Sequence, residues 1–288
     1  MPELPEIEHL KRTLGVVIVG AVVDEVRLLR PDVVHPFANG RPAIPRTDLL
    51  LGSTITALAR RGKQLAIIGD GDAVLCVHLG MSGQLQYVPY RQRLPRTDHI
   101  HCIWRLRAAS GDRGRLVFRD PRRFGGLWLF RSLAALREQR WSRLGPDALG
   151  ITALTLGTAL ARTRRPLKAA LLDQSLLCGL GNIYVDECLF AARLDPRSVS
   201  RALGPAPIAA LASAIRSILR RAIAAGGSTI RDYLDAFGRP GSYHLAHRVY
   251  GRAGQPCLRC RRTLRHTMIA QRSTVFCSGC QHLSPSVE

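Results

Sequence analysis

The pattern of apolar and polar positions divides the chain into two textures. Residues 5–15 carry Ile7, Leu10 and Leu14 at helical spacing, which predicts a short amphipathic helix near the N-terminus. From about Gly20 to Phe130 short apolar and β-branched runs recur. They lie at Ala21–Leu29, Thr54–Ala59, Gln64–Ile68, Val74–His78, Ile100–Leu106, Leu116–Phe118 and Gly126–Phe130. Gly, Asp and Pro separate them, so they read as strands of a β-sandwich or barrel. His35–Pro45 and Pro89–Asp98 read as loops, the second carrying Arg91, Arg93 and Arg96.

After Arg131 the spacing turns helical. Helices are predicted over Leu133–Arg140, Thr152–Arg162, Pro166–Leu177, Ile183–Ala192 and Pro207–Ala225. Gly145-Pro146 marks a linker, and Gly226-Gly227 a helix stop. Residues 228–250 are irregular and polar. Strands followed by helices make an α+β chain, and 288 residues suit two domains. No apolar run approaches the roughly 18–20 residues of a membrane span. The N-terminus is acidic and then amphipathic, unlike a cleavable signal, so an intracellular protein is expected.

Charge narrows the partner. There are 42 Lys and Arg against 21 Asp and Glu, a net charge of +21. Up to Arg131 there are 20 basic and 12 acidic residues, and after it 22 and 9, so both halves are basic. A polyanion, most simply nucleic acid, is the expected partner. Lysine occurs only at Lys11, Lys63 and Lys168. Where arginine fills the other basic positions, a compact ammonium at Lys63 or Lys168 points to a task a planar fork does not perform.

Four cysteines (Cys76, Cys102, Cys178 and Cys188) sit in apolar runs and read as reduced core residues. The other four form two C-x2-C pairs, Cys257/Cys260 and Cys277/Cys280, sixteen residues apart. Two such pairs on two turns make a tetrahedral structural zinc site. A closed four-cysteine shell leaves no open coordination position, so one zinc ion here rigidifies a small hairpin rather than doing chemistry. Arg259, Arg261, Arg262, Arg265 and Arg272 surround it.

Between two predicted helices lies Gly179-Leu180-Gly181-Asn182. The glycines permit a tight turn, and Asn182 is expected to cap the next helix. The bare N–H groups of that helix start are suited to a phosphate, with Lys168 supplying charge. The opening Met1-Pro2-Glu3-Leu4-Pro5-Glu6 carries the sharpest chemistry. Removal of Met1 makes the Pro2 nitrogen a secondary amine, able to attack a sugar aldehyde carbon and form an iminium. Glu3 stands next to it as a proton carrier.

PELPE (2–6), RRGKQL (60–65), HLGMSG (78–83), DPRRFG (120–125), LLDQ…GLGNIY (171–184) and the cysteine ribbon occur in this order. Together they resemble the formamidopyrimidine-DNA glycosylase family of bacterial base-excision repair, across essentially the whole chain. The resemblance implies an N-terminal β-sandwich catalytic domain with its N-terminal helix (1–131) and a linker (132–150). A helix-two-turn-helix DNA-binding domain (151–227), a lesion-capping loop and connector (228–250) and a zinc ribbon (251–288) then follow. It implies a bifunctional glycosylase and abasic-site lyase. Pro2 is the nucleophile at the deoxyribose C1′, Glu3 the acid/base, Glu6 a positioning group, and Lys63 the lysine beside the lesion phosphate. Met81, Arg122 and Phe124 fill the hole left by the flipped nucleotide. Lys168, Asn182 and Arg272 bind phosphate, and Tyr250 lies in the strand entering the ribbon. The implied partner is damaged double-stranded DNA, met by a monomer in the bacterial cytoplasm at the nucleoid, without a membrane. The implied lesions are 8-oxoguanine and formamidopyrimidines, released with β,δ-elimination. Leu4 and the Met81/Arg122/Phe124 set favour this branch over the endonuclease VIII branch, which acts on oxidised pyrimidines. A non-catalytic DNA-binding zinc-ribbon protein is the reading from another class.

Overall fold

The computed structural model describes residues 2–35, 48–94 and 96–283, so most of the loop expected over His35–Pro45 lies outside the described residues, as does Met1. The chain divides into two compact units, residues 1–143 with 223–242, and residues 144–222 with 243–288.

In the first unit, helix α1 (Leu4–Ile18) starts one residue before the predicted segment and runs three beyond it. Ile7, Leu10, Leu14 and Ile18 are buried on one face and pack into the core between two four-stranded sheets. One sheet has the order β1 (Val22–Leu28), β6 (Ile100–Arg107), β7 (Arg113–Arg119), β5 (Gln84–Pro89). The other has the order β2 (Ile55–Arg61), β3 (Gln64–Gly69), β4 (Val74–His78), β8 (Gly126–Phe130). All pairs are antiparallel. The sandwich is therefore the observed form of the sandwich-or-barrel alternative. Strand β5 was not among the predicted runs. Gln84 and Gln86 break its apolar pattern, and Pro89 ends it, which an edge strand tolerates because its outer N–H groups need no partner.

Register brings three connections to one end of this sandwich. Gln64 pairs with His78, and His78 with Gly126. The β2–β3 turn carrying Lys63, the β4–β5 connection (residues 79–83) and the β7–β8 connection (residues 120–125) therefore emerge together. The last two are pressed close. A Cβ at Gly80 (φ +59°) would lie 2.3 Å from the Phe124 carbonyl carbon, and one at Gly125 would lie 2.6 Å from the His78 carbonyl oxygen. Only glycine allows such approach.

The second unit is helical apart from one hairpin. Its helices are α3 (Ala153–Ala161), α4 (Leu167–Leu172), α5 (Asn182–Ala191) and most of α6 (Pro205–Ala224), while α2 (Leu133–Gln139) belongs to the first unit. Helix α4 is half as long as predicted. The Asp173 carboxylate accepts the Ser175 N–H (2.8 Å) and hydroxyl (2.6 Å), a local bond that competes with continuation of the helix. The turn into α5 is held by Gln174, whose Oε1 accepts the Gly179 N–H (3.0 Å) and whose Nε2 donates to the Leu180 carbonyl (2.9 Å). Gly181, not Asn182, is the N-cap of α5. The Asn182 side chain reaches instead to the Ser273 carbonyl (3.0 Å). Strands β9 (Arg265–Ile269) and β10 (Arg272–Phe276) form the ribbon hairpin. Tyr250 is in a turn rather than a strand. The Glu187 carboxylate gathers the N–H groups of Arg248, Val249 and Tyr250 at 2.9–3.0 Å, which bends the backbone there.

Candidate active site and nucleic-acid interface

The start of α1 explains its two carboxylates. A helix begins with unpaired N–H groups and a positive dipole end, which favour acidic groups. Glu3 and Glu6 form a reciprocal capping box, in which Glu6 Oε2 accepts the Glu3 N–H at 2.8 Å. Both are 1% exposed, and Pro2 before them is buried too. The other Glu6 oxygen, Oε1, accepts the Ser228 N–H at 2.7 Å, and the Tyr233 hydroxyl donates to the Glu6 carbonyl at 3.0 Å. Burial, with the charges of Glu6 and Asp235, pushes the Tyr233 hydroxyl far up, so it stays a donor. A Cβ on Gly227 (φ +83°) would meet Glu6 Oε1 at 2.7 Å. Glu6 thus ties the segment 223–242 to the N-terminus across more than 220 residues of chain.

That segment is also tied to the sheet edge. Gln84 Nε2 donates to the Asp232 carbonyl (2.5 Å), and the Tyr87 N–H donates to the Ala236 carbonyl (2.8 Å). The segment reads as irregular in the sequence, which does not single out Ser228 or Tyr233. Their only signal was the double glycine before them. On the other flank of α1, the Glu8 carboxylate meets Arg60 Nε at 2.8 Å and Arg12 Nε at 3.0 Å. Burial opposes its charge, but these guanidinium groups outweigh burial and hold it below the usual carboxylate range.

Asp120, fully buried, builds the connection from β7 to β8. Its Oδ1 accepts the Ser82 hydroxyl (2.6 Å) and the Arg122 N–H (3.3 Å), and its Oδ2 accepts the Gly125 N–H (2.7 Å). The arrangement pushes Arg122 and Phe124 outward. Phe124 is 55% exposed, and the Arg122 guanidinium lies 4.7 Å from its ring centroid. Met81 is half-buried in the facing connection. An exposed phenylalanine beside an arginine on a rigid turn is suited to a wedge between bases and to hydrogen bonding with an orphaned base.

Lys63 stands in the β2–β3 turn, close enough to His78 to disfavour its protonation. Burial first, then Arg140 and Lys63, bring the His78 pKa down to about 4. The ordinary value is 6.5, so the folded state refuses a proton that the unfolded chain takes up. Stability is therefore complete above pH 6.5 and is lost as pH falls towards 4. The His78→Asn variant is expected to remove up to about 3 kcal/mol of that acid sensitivity. Urea titrations at pH 7 and pH 4.5 read it directly; equal losses in both proteins would refute the assignment.

In the second unit Lys168, expected to offer its charge at the phosphate turn, is fully buried. Its ammonium lies 2.7 Å from Asp186 Oδ1 and 2.7 Å from the Ser273 carbonyl. Asp186 Oδ2 accepts the Val275 N–H (3.1 Å). Burial raises the Asp186 pKa to about 6 against the opposing pull of Lys168. Lys168 therefore acts on the turn indirectly, by fastening β10 to α5. The Lys168→Met variant leaves a buried carboxylate without its cation, at an expected cost of about 3–5 kcal/mol. The Lys168→Met/Asp186→Leu double variant should recover most of it, measured by thermal unfolding. Arg272, at the start of β10, is exposed, and Asn182 and the half-buried Tyr250 complete the positions expected to meet DNA.

The four ribbon sulfurs lie within 4.8 Å of one another, with Cys257–Cys280 at 3.9 Å and Cys260–Cys277 at 3.4 Å. Tetrahedral Zn–S bonds of about 2.3 Å require sulfur separations of about 3.8 Å. The set fits one structural zinc ion, and no fifth ligand is needed. Phe190, Val249, Leu264 and Val275 pack around it. Among the described residues no helix is long and apolar enough to cross a membrane.

Residues 1–127 match the formamidopyrimidine-DNA glycosylase N-terminal domain, 144–233 its H2TH domain, and 254–283 a zinc finger found in FPG and IleRS. The chain is 40% identical over 284 residues to a formamidopyrimidine-DNA glycosylase of Heliobacterium modesticaldum, covering 98% of this chain and 100% of that one. It is 38% identical over 285 residues to that of Bacillus subtilis, covering 98% and 99%. Among solved structures it resembles the MutM (FPG) protein of Thermus thermophilus at 37% identity and TM-score 0.83, covering 99% and 100%. It also resembles a Lactococcus lactis Fpg in complex with abasic-site DNA, at 33% identity and TM-score 0.85, covering 97% and 99%. A capped pair of buried carboxylates next to Pro2, an exposed Phe124 beside Arg122 on a rigid turn and a four-cysteine ribbon thus stand in a chain that belongs to the formamidopyrimidine-DNA glycosylase family.

Proposed function

We propose that this glycosylase excises oxidised purines, 8-oxoguanine and formamidopyrimidines, from duplex DNA through a covalent intermediate on Pro2, then cleaves the strand by β,δ-elimination. The observation that carries this reading is the pair of buried carboxylates fixed directly behind Pro2, one of them anchored from two sides. With Met1 removed, the Pro2 nitrogen attacks C1′ as the bond from C1′ to the base breaks, and the base leaves with a proton. Glu3 protonates the ring oxygen, the sugar opens, and C1′ and nitrogen are joined as an iminium. The iminium acidifies the C2′ proton; its loss expels the 3′ phosphate, and a second elimination expels the 5′ phosphate. Glu6 does not touch the sugar. It holds the N-terminus and the segment after Gly227 in one register, so that the nucleophile and the loop facing the base move as a unit.

C1′ is inaccessible in a stacked duplex, and extruding a nucleotide costs a few kcal/mol. Met81 and Phe124 fill the vacated space, and Arg122 satisfies the unpaired base. Lys63, beside a neutral His78, attracts the lesion phosphate. In the second unit Asn182, Arg272 and Tyr250 bind backbone phosphates, with Lys168 keeping them in place. The zinc ion stiffens the ribbon when bound. Arg91, Arg93 and Arg96 add a sequence-independent contact; their joint replacement by Ser lowers the salt slope of DNA binding by up to about 3. The enzyme works as a monomer in the bacterial cytoplasm, at the nucleoid. Borohydride trapping on 8-oxoguanine·cytosine, dihydrothymine and uracil duplexes tests the reading. An adduct mainly on the first supports it, one mainly on dihydrothymine moves the enzyme to the pyrimidine branch, and none on any duplex removes the enzymatic reading.

A further inference from the structure

We propose that a cavity in the second unit is a docking site for an acidic peptide segment of a partner protein, which seats one large apolar side chain on the cavity floor and places carboxylates on its rim. The cavity measures about 400 Å³ and is lined by residues of α5, α6, the segment 243–248 and the first cysteine turn of the ribbon. Sites that enclose organic groups begin near about 300 Å³. Phe190 and Ile218, both nearly inaccessible, and the half-exposed Leu258 supply its apolar lining. Leu258 is 46% exposed, and Leu245, beside the lining residue Ala246, is 81% exposed.

Three arginines, Arg221, Arg248 and Arg259, stand around this floor. All three are exposed, and none has a carboxylate within ion-pair distance among the described residues. The Arg259 guanidinium stacks 4.6 Å from the Phe190 ring centroid, which keeps the fork over the aromatic floor. The one acidic lining residue, Glu187, is buried and attracts only Arg248 appreciably among the three. Its oxygens are already engaged by the N–H groups of Arg248, Val249 and Tyr250. The result is a hollow of mixed polarity, with three exposed arginines set against one buried carboxylate.

A carboxylate-bearing peptide fits this better than a DNA backbone. Phosphates of a duplex lie on a convex rod and carry no apolar group to fill a hollow. Phosphate sites also favour helix N-termini, whereas the lining residues of α5 and α6 belong to their C-terminal halves, which offer no bare N–H groups. Guanidinium forks bind carboxylates in a bidentate manner without such groups. The position lies along α5 from Asn182 by five or more residues, so a partner could sit there while the turn at Asn182 holds phosphate.

The test uses the full zinc-loaded chain and a short fluorescein-labelled acidic peptide carrying one Phe. Its controls have that Phe replaced by Ala or the acidic residues replaced by Gln. Anisotropy is expected to show binding of the first peptide, with both controls weakened by about tenfold or more. The Arg221→Ala/Arg248→Ala double variant and the separate Leu258→Ser variant should weaken it similarly, with unchanged melting temperature and glycosylase activity. Absence of binding, equal binding by the controls, or equal binding by both variants overturns the proposal. So does a double variant whose duplex-DNA affinity falls and whose salt slope flattens, since the rim would then be a DNA contact.

Discussion

A form of the enzyme that carries any residue ahead of Pro2 will give no borohydride-stable adduct with 8-oxoguanine duplex, and its glycosylase and lyase activities will fall by about 10⁴-fold or more. The magnitude follows from the proposed role of Pro2, since blocking its nitrogen removes the covalent step altogether. An acylated proline nitrogen is an amide and its lone pair is delocalised, so it neither attacks C1′ nor forms an iminium. Binding to a duplex with an uncleavable abasic analogue should change little, because the proposed wedge and phosphate contacts belong to other residues. The two measurements separate chemistry from recognition. Retained trapping by the blocked form would show that another amine is the nucleophile, with Lys63 the first to examine. The Glu3→Gln variant should lose excision while still cleaving a preformed abasic site to some degree, because elimination starts from an already open sugar. The Glu6→Gln variant should weaken both, since the anchor to Ser228 loses its charge.

Removing zinc should have the second largest effect. Structural zinc contributes roughly 10–16 kcal/mol to the folding of isolated finger peptides. The ribbon's apolar cluster is small, comprising Phe190, Val249, Leu264 and Val275 with three of the ligand cysteines, and it does not hold a hairpin without the metal. A chelator, or the Cys257→Ser/Cys260→Ser variant, should unfold residues 251–283 and release Ser273 from Lys168 and Asn182. The expected readouts are rapid hydrogen exchange in β9 and β10 and a loss of duplex affinity of about 100-fold. The circular dichroism of the sandwich should stay nearly unchanged. Restored zinc should reverse all three in the wild type but not in the variant. Undiminished DNA affinity without zinc would dismiss the ribbon as a binding element.

Much of this architecture was legible in the sequence. The first helix, seven of the eight sandwich strands, the helical texture after Arg131 and the four-cysteine cluster follow from local periodicity and from ligand spacing. What was missed has a common cause. Strand β5 carries glutamines because its outer positions meet the segment after Gly227, through Gln84 to the Asp232 carbonyl. Helix α4 stops early because a side chain offers its backbone another partner. Lys168 has the composition of a phosphate ligand, yet it is buried against an aspartate on another helix. Ser228, Tyr233 and His78 gain their significance from neighbours between 15 and more than 220 positions away.

By itself the sequence determined the chemistry available: a proline whose nitrogen becomes a secondary amine once Met1 is removed, carboxylates next to it, a metal site closed to catalysis and an excess of arginine suited to a polyanion. Periodicity and ligand spacing are local properties, so a single chain reads them out. Tertiary structure decided which groups act together. It fastened Glu6 to Ser228, turned Phe124 outward on the Asp120 turn, and made Lys168 a strut rather than a ligand. These outcomes depend on burial and on hydrogen bonds between residues distant in sequence, and no local pattern encodes the partner of a buried charge.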